Sequence, residues 1–290
     1  SIHSEVILLA SLHKIMCGIF GYIGNKNGVS IGLDGIRELE YRGYDSVGMC
    51  FVYNKNLNIE KGVGKLDEVH KKVNFLKFPG NIGIAHCRWS THGGVTEKNA
   101  HPHVDCKKRI SVVHNGIIEN YSELKEELTK KGHEFSSETD TEVIAHLIEE
   151  NMKNSNIEEA LKTSLKRIEG SYALGILFAD KPDILIAARN ESPLIIGLGN
   201  NENFIASDVP SILEYTNKVM YLEDKEIAVL TKDSCSIFDL DGNKKEKKVH
   251  TINWSAEAAQ KSGYSHYMLK EIYDQPRAIA DTLNGRLRNN

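Results

Sequence analysis

In "KIMCGIFGYIG", residues 14–24, Cys17 follows a methionine and precedes a glycine at the mouth of a short apolar run. If Met16 is removed, Cys17 carries a thiol and a free α-amine on one residue. With pKa values of about 7.7–8.0 for the amine and about 8.5 for the thiol, the amine can take the thiol proton near neutral pH without a histidine. Gly18, lacking a Cβ, lets a substrate approach the backbone. By residue type alone, Cys17 could equally be a buried strand cysteine.

Three further segments carry polar chemistry. "HCRWSTHGG", residues 86–94, presents Arg88, Thr91 and His92 at a loop kept open by two glycines. Arg88 suits a forked bond to a carboxylate, and its ordinary alternative is a surface ion pair. "VVHNGIIEN", residues 112–120, sets Asn115 beside Gly116. A side-chain amide next to a glycine N–H makes a donor pair suited to an oxyanion, and the same dipeptide also favours a type I′ turn. "SSETDTEVIAHLIEE", residues 136–150, spaces Thr139 and Glu142 as a capping box at a helix start. Asp140 there is either a favourable helix-terminal charge or a carboxylate that holds an ammonium group.

His86, Cys87, His92, His101, His103 and Cys106 fall within 21 positions. Their spacings match no closed zinc pattern, and Pro102 stiffens the loop without bringing two rings to one face, so neither a metal nor another cofactor is expected.

The elements that must position these groups are many short strands and a few amphipathic helices. Strand patterns run over 19–23, 47–53, 82–86, 111–114, 171–178, 184–187, 194–196, 226–230 and 236–238. Helical spacing covers 31–39, 121–131, 141–152 and 157–168. The 47–53 and 57–61 runs, and the Asp241-Gly242 turn, predict hairpins, hence antiparallel sheets layered against helices in an α+β domain. Residues 250–265 lose the strand pattern and read as a linker. Residues 266–290 are helical in pattern and too few to bury a core, as the opening of a further domain would be.

Length and composition bound the function. The chain has 290 residues, 40% hydrophobic, with a formal net charge of -4, which gives no basic footprint for nucleic acid or an anionic membrane. Five scattered cysteines without C-x-x-C suggest neither a disulfide framework nor a zinc ribbon and fit a reducing, cytoplasmic compartment. The apolar run at 6–10 is too short for a signal peptide or a span.

Taken jointly, "MCGIFGYIG", "LEYRGYDSVGM", "HCRWSTHG", "NAHPHV", "VHNGIIENY", "SETDTEVIAHLI", "EGSYALGI", "SPLIIGLG" and "NFIASDVPSIL" resemble the class II glutamine amidotransferases, from Cys17 to about residue 249. More narrowly they resemble the glutaminase domain of the aminosugar-forming branch, and "HYMLKEIYDQP" resembles the entry to its sugar isomerase half. The resemblance implies an N-terminal-nucleophile fold, a four-layer αββα sandwich of two antiparallel sheets, with a helical C-terminal tail. It implies Cys17 as nucleophile with its α-amine as base, and an oxyanion hole from Asn115 and Gly116. Arg88 would hold the glutamine α-carboxylate and Asp140 its α-ammonium. Thr91 and His92 would line the pocket, Trp89 would gate ammonia, and Arg42 would position the nucleophile. L-glutamine is then the substrate. Fructose-6-phosphate would be met only through the isomerase half, and the full-length protein would be a homodimer.

Residues 1–16 precede the nucleophile. With Cys17 amide-linked to Met16 its nitrogen cannot act as base, so the chain as written is expected to be inactive until those residues are removed. The chain also stops within the expected isomerase half, which leaves glutamine hydrolysis as its own reaction. Amidophosphoribosyltransferase, asparagine synthetase and glutamate synthase types share the N-terminal cysteine and are the competing enzymes. A glutamine-sensing module without turnover and a metal-dependent hydrolase are the competing classes.

Overall fold

The computed structural model describes residues 17–253 except 78, 91 and 92, together with 268, 269, 272, 273 and 275. The strands are β1 (Gly18–Gly24), β2 (Ser46–Tyr53), β3 (Asn56–Val63), β4 (Ile82–Arg88), β5 (His103–Val104), β6 (Ile110–Ile118), β7 (Gly170–Phe178) and β8 (Leu185–Asn190). They continue with β9 (Ile195–Leu198), β10 (Glu202–Ala206), β11 (Lys218–Tyr221), β12 (Glu226–Leu230), β13 (Cys235–Asp239), β14 (Lys244–Lys245) and β15 (His250–Thr251). One sheet runs β15-β11-β9-β10-β1-β4-β2-β3 and the other β14-β13-β12-β8-β7-β6-β5, and among the described residues the strands pair antiparallel throughout.

The helices are α1 (Gly28–Arg37), α2 (Leu66–Val73), α3 (Tyr121–Lys130), α4 (Glu142–Met152) and α5 (Ile157–Arg167). On β1, Ile19 and Ile23 join the core between the sheets, together with Ile82, Ile84, Val113, Ala173 and Leu177. Phe20 and Tyr22 turn the other way, and α1 lies so close that a Cβ on Gly35 would meet the Phe20 ring at 2.2 Å. Burial on both faces is why this strand reads as a continuous apolar run rather than an alternating one. The second sheet sends Ile110, Val112, Leu174, Ile176 and Phe178 to the opposite face, against Leu124 and Leu128 of α3, Val143 and Leu147 of α4, and Leu161 and Leu165 of α5. Helix, sheet, sheet and helix form four layers, as the αββα expectation requires.

Both predicted hairpins are present, β2–β3 in full register and β13–β14 across Gly242, whose φ is +89°. Several local expectations fail for identifiable reasons. Helix α1 begins earlier than the apolar spacing suggests, because the Asn27 side chain caps it by accepting from the N–H groups of Val29 and Ser30. The capping box at α4 does not form: the Glu142 carboxylate accepts from the backbone N–H groups of Ser136 and Ser137, while Thr139 bonds Ser137 and His103. Helix α2 and strands β10 and β11 escaped the pattern reading, since α2 buries only Leu66 and Val69 and β11 is four residues long. Residues 250 and 251 pair with β11, so the sheet extends two residues into the expected linker and the compact unit ends at Thr251. A second unit comprises residues 252–290, in which positions 268, 269, 272, 273 and 275 are helical.

Candidate active site

Three strand ends and one helix entrance converge. Antiparallel pairing of β1 with β4 sets Gly18 opposite Cys87, which leaves Cys17 beside Arg88 and Trp89 where β4 ends. Gly18 is required by this closeness, since a Cβ there would meet Cys87 Sγ at 2.6 Å and Leu39 Cβ at 2.7 Å. Cys17 is a half-buried free cysteine just before the strand, not a core residue of it. The Trp89 backbone holds its sulfur: the Trp89 N–H donates to Sγ at 3.1 Å, and the thiol donates to the Trp89 carbonyl at 3.3 Å. Burial raises the Cys17 thiol above its ordinary pKa, against the opposing pull of the Trp89 N–H and of Arg88 and Arg42.

From the second sheet, the Asn115 amide nitrogen donates to the Cys17 carbonyl at 2.6 Å and to Ser207 Oγ at 3.0 Å. Asn115-Gly116 is not a turn; it lies inside β6 in register with Ala173 and Tyr172. Gly116 has φ +132°, and a Cβ on it would meet the Ser171 carbonyl oxygen at 2.1 Å, so only glycine serves there. Arg42 Nε donates to the same Cys17 carbonyl at 3.3 Å, and its guanidinium pairs with Asp208 at 3.6 Å.

Arg88 is no surface ion pair, being 4% exposed. It donates to the Gly94 carbonyl, and burial lowers its pKa while Cys17, Asp140 and Asp45 oppose that shift. Asp140 is buried just ahead of α4, where its carboxylate accepts from the Ile118 N–H at 2.8 Å and so ties the helix entrance to the end of β6. Trp89 packs edge-on against Tyr44. Thr91 and His92 lie outside the described residues. Thus Cys17, Arg42, Arg88, Trp89, Asn115, Gly116 and Asp140 come together at one end of the two sheets.

Sequence reasoning passed over the groups beneath them. His86 Nε2 sits 2.9 Å from Asn115 Oδ1 and 3.1 Å from the His114 carbonyl; both are acceptors, so this nitrogen carries the proton. Burial drives His86 down to about 3, and it drives His101 and His103 well below the usual histidine range, so all three are neutral at pH 7. The His114 N–H donates to His101 Nδ1, and Thr141 Oγ1 lies 3.3 Å from His101 Nε2 and 2.9 Å from His114 Nδ1. Thr139 Oγ1 meets His103 Nε2 at 3.1 Å. A neutral histidine lattice therefore links Asn115 to both neighbours of Asp140. Ser207 accepts from the Ile19 N–H as well as from Asn115, and Asp45 accepts from the Ser90 N–H. The signal for His86 was its place in "HCRWSTHGG", read only for metal ligation.

Residues 86–214 match the family described as Glutamine amidotransferase domain. The chain is 56% identical over 272 residues to glutamine–fructose-6-phosphate aminotransferase (isomerizing) of Thermococcus kodakarensis, covering 93% of this chain and 45% of that protein. The enzyme of the same name from Pyrococcus horikoshii is 54% identical over 94% of this chain and 46% of its own length. The chain thus spans a little under half the length of these curated relatives. Among solved structures, glutamine phosphoribosylpyrophosphate amidotransferase from B. subtilis superimposes with a TM-score of 0.67 at 26% identity, over 79% of this chain and 50% of that one. The fold alone is shared with a glutamine aminotransferase class-II domain protein of Silicibacter pomeroyi, at 14% identity and a TM-score of 0.54. The family match, the relatives by sequence and the fold of the phosphoribosyl enzyme agree on one assignment: the chain contains a class II glutamine amidotransferase domain.

Proposed function

We propose that this chain is the glutamine-hydrolysing half of an aminosugar-forming enzyme, with Cys17 as nucleophile. The carrying observation is the meeting of the Cys17 thiol, the Asn115 amide and two buried opposite charges, Arg88 and Asp140, at one end of the sheets. A zwitterionic amino acid with a side-chain amide needs each of these groups.

Glutamine's α-carboxylate would rest on Arg88 and its α-ammonium on Asp140, which leaves the amide carbon over Cys17 Sγ. The free α-amine of Cys17 takes the thiol proton, and the thiolate adds to the amide carbon. The oxygen becomes an oxyanion held by Asn115 Nδ2 and the Gly116 N–H. Of Asn115's two amide hydrogens, the one now on the Cys17 carbonyl would turn to that oxygen. The ammonium returns its proton to the departing nitrogen, the C–N bond breaks, and ammonia leaves. Water, deprotonated by the same amine, then cleaves the γ-glutamyl thioester to glutamate and restores the thiol. Arg42 would fix the Cys17 backbone and Trp89 would cover the sulfur, with Thr91 and His92 completing the pocket wall.

Because the longer relatives are named for fructose-6-phosphate, we assign the ammonia to amination of that sugar by the remaining half of the complete protein. The higher identity to these relatives, 54–56% against 26% for the phosphoribosyl enzyme, favours this acceptor. The test is mass spectrometry of protein beginning at Cys17 after exposure to a glutamine-mimicking electrophile, alongside a glutaminase assay. Stoichiometric labelling at Cys17, with turnover abolished by Cys17→Ala, is expected; absence of labelling overturns the assignment.

A further inference from the structure

Away from the candidate active site, four side chains from three chain segments aim one ligand atom each at a common point. Cys106 sits on the β5–β6 turn, which Asp105 pins by accepting from the N–H groups of Arg109 and Ile110. His133 follows α3, and His146 and Glu149 lie three residues apart on α4, hence on one face. Cys106 Sγ is 3.5 Å from His133 Nδ1 and 3.4 Å from His146 Nδ1, and the two Nδ1 atoms are 3.3 Å apart. Glu149 Oε2 is 3.2 Å from His133 Nδ1 and 3.7 Å from His146 Nδ1, and the sixth edge, Sγ to Oε2, is within 4.8 Å. With five edges of 3.2–3.7 Å and the sixth no longer than 4.8 Å, the point equidistant from the four atoms lies about 2.0–2.4 Å from each, close to the lengths of Zn–N, Zn–O and Zn–S bonds.

Proton placement argues the same way. His133 Nε2 lies 2.9 Å from Glu150 Oε2, a carboxylate oxygen that can only accept, so Nε2 carries a hydrogen and, in the neutral ring, Nδ1 presents its lone pair. His146 is 1% exposed; its Nε2 faces Glu142 Oε1 at 3.7 Å and makes no hydrogen bond. Two ring nitrogens, a carboxylate oxygen and a sulfur thus face one another at contact distance. A cation at the centre would give all four a common partner, and Glu150 behind the His133 ring is the usual outer support of a zinc-bound histidine.

We propose that Cys106, His133, His146 and Glu149 form a closed structural zinc site that fastens the β5–β6 turn and the α3–α4 connection to α4. Zinc fits a thiolate, imidazole and carboxylate set in tetrahedral array better than magnesium or calcium, which take oxygen ligands. Cys106, the exposed member, offers the entry path. Sequence spacing does not reveal the cluster, because only Cys106 belongs to the histidine-rich segment and its partners are 27, 40 and 43 residues further on.

The test is titration of the whole chain, purified without a metal-affinity tag, with Zn²⁺ alone against a chromophoric chelator, together with cobalt substitution. One equivalent bound per chain, visible four-coordinate Co(II) absorption and a thermal midpoint raised by several degrees on zinc addition are expected. Cys106→Ser, at an exposed position where folding is retained by circular dichroism, should weaken uptake and remove the thiolate charge-transfer band; His146→Gln should abolish uptake. Cys17→Ser should leave it unchanged. No stoichiometric uptake by the parent chain, uptake that both ligand variants retain, or uptake lost with Cys17→Ser would each overturn the site.

Discussion

His86 Nε2 lies 2.9 Å from Asn115 Oδ1 and 3.1 Å from the His114 carbonyl, so a single ring proton decides which way round the Asn115 amide points. With Oδ1 taken by His86, Nδ2 must face the Cys17 carbonyl and Ser207. The amide we propose as an oxyanion donor is therefore oriented by a buried neutral histidine one layer behind it.

That relationship gives the first prediction. Asn115→Ala should lower kcat by about 10²–10³ with little change in KM, as removal of one oxyanion donor does. His86→Leu should lower kcat in the same sense, and His86→Gln, which still donates from an amide, should recover part of it. Steady-state kinetics on protein starting at Cys17 provides the measurement; equal damage from the Leu and Gln variants would contradict the orienting role.

Arg88 and Asp140 should act on binding rather than on chemistry. Each charge-assisted contact contributes about 1.5–3 kcal/mol, so Arg88→Lys and Asp140→Asn should each raise KM for glutamine by about 10–100-fold. Asparagine still accepts from the Ile118 N–H, so the thermal midpoint should hold in Asp140→Asn. A large fall in kcat at unchanged KM would argue against these assignments.

The Cys17 thiol is raised by burial and is protonated at neutral pH, so it depends on a base. Protein starting at Cys17 should react with thiol-directed electrophiles near pH 7–8, where the amine titrates. The chain retaining residues 1–16 should react only under alkaline conditions and show no glutaminase turnover. Rates of covalent labelling against pH, read by intact mass, separate the two forms.

Buried neutral histidines make the fold sensitive to acid. His86 is held down at about 3 from an ordinary 6.5, so between those values the unfolded chain binds a proton that the folded one refuses. Its stabilising contribution is complete above pH 6.5 and falls as pH drops from 6.5 towards 3, by about 1.4 kcal/mol per pH unit. Denaturant midpoints at pH 7.5 and 5 should differ, and less so in His86→Gln.

Gly116→Ala tests backbone rather than chemistry. With φ at +132° and the Ser171 carbonyl 2.1 Å from the added Cβ, the substitution should cost more than the roughly 1–3 kcal/mol of a strained backbone position. A lower thermal midpoint is expected even with Cys17 already replaced by alanine.

The sequence alone identified what was encoded locally or in ordered motifs. The "MCGIFGYIG" stretch marked the proposed nucleophile, "HCRWSTHGG" the proposed arginine and "VVHNG" the proposed donor pair, because unusual residue types at a strand end stand out in one dimension. The two hairpins and three of the four expected helices carried their own periodicity, and the fourth was displaced only by an Asn27 cap that apolar spacing does not register. Tertiary structure decided everything that depends on layers facing one another. Whether Asn115-Gly116 was a turn or a mid-strand donor, whether Arg88 was exposed, and what Glu142 bonds were open until the two sheets and α4 were in place. The same holds for His86 behind Asn115 and for the four atoms around the Cys106 turn, since their partners lie on different strands and helices. A side chain's chemistry is written in its own residue, but its proton, its charge state and its partner are set by groups brought near only when the chain closes on itself.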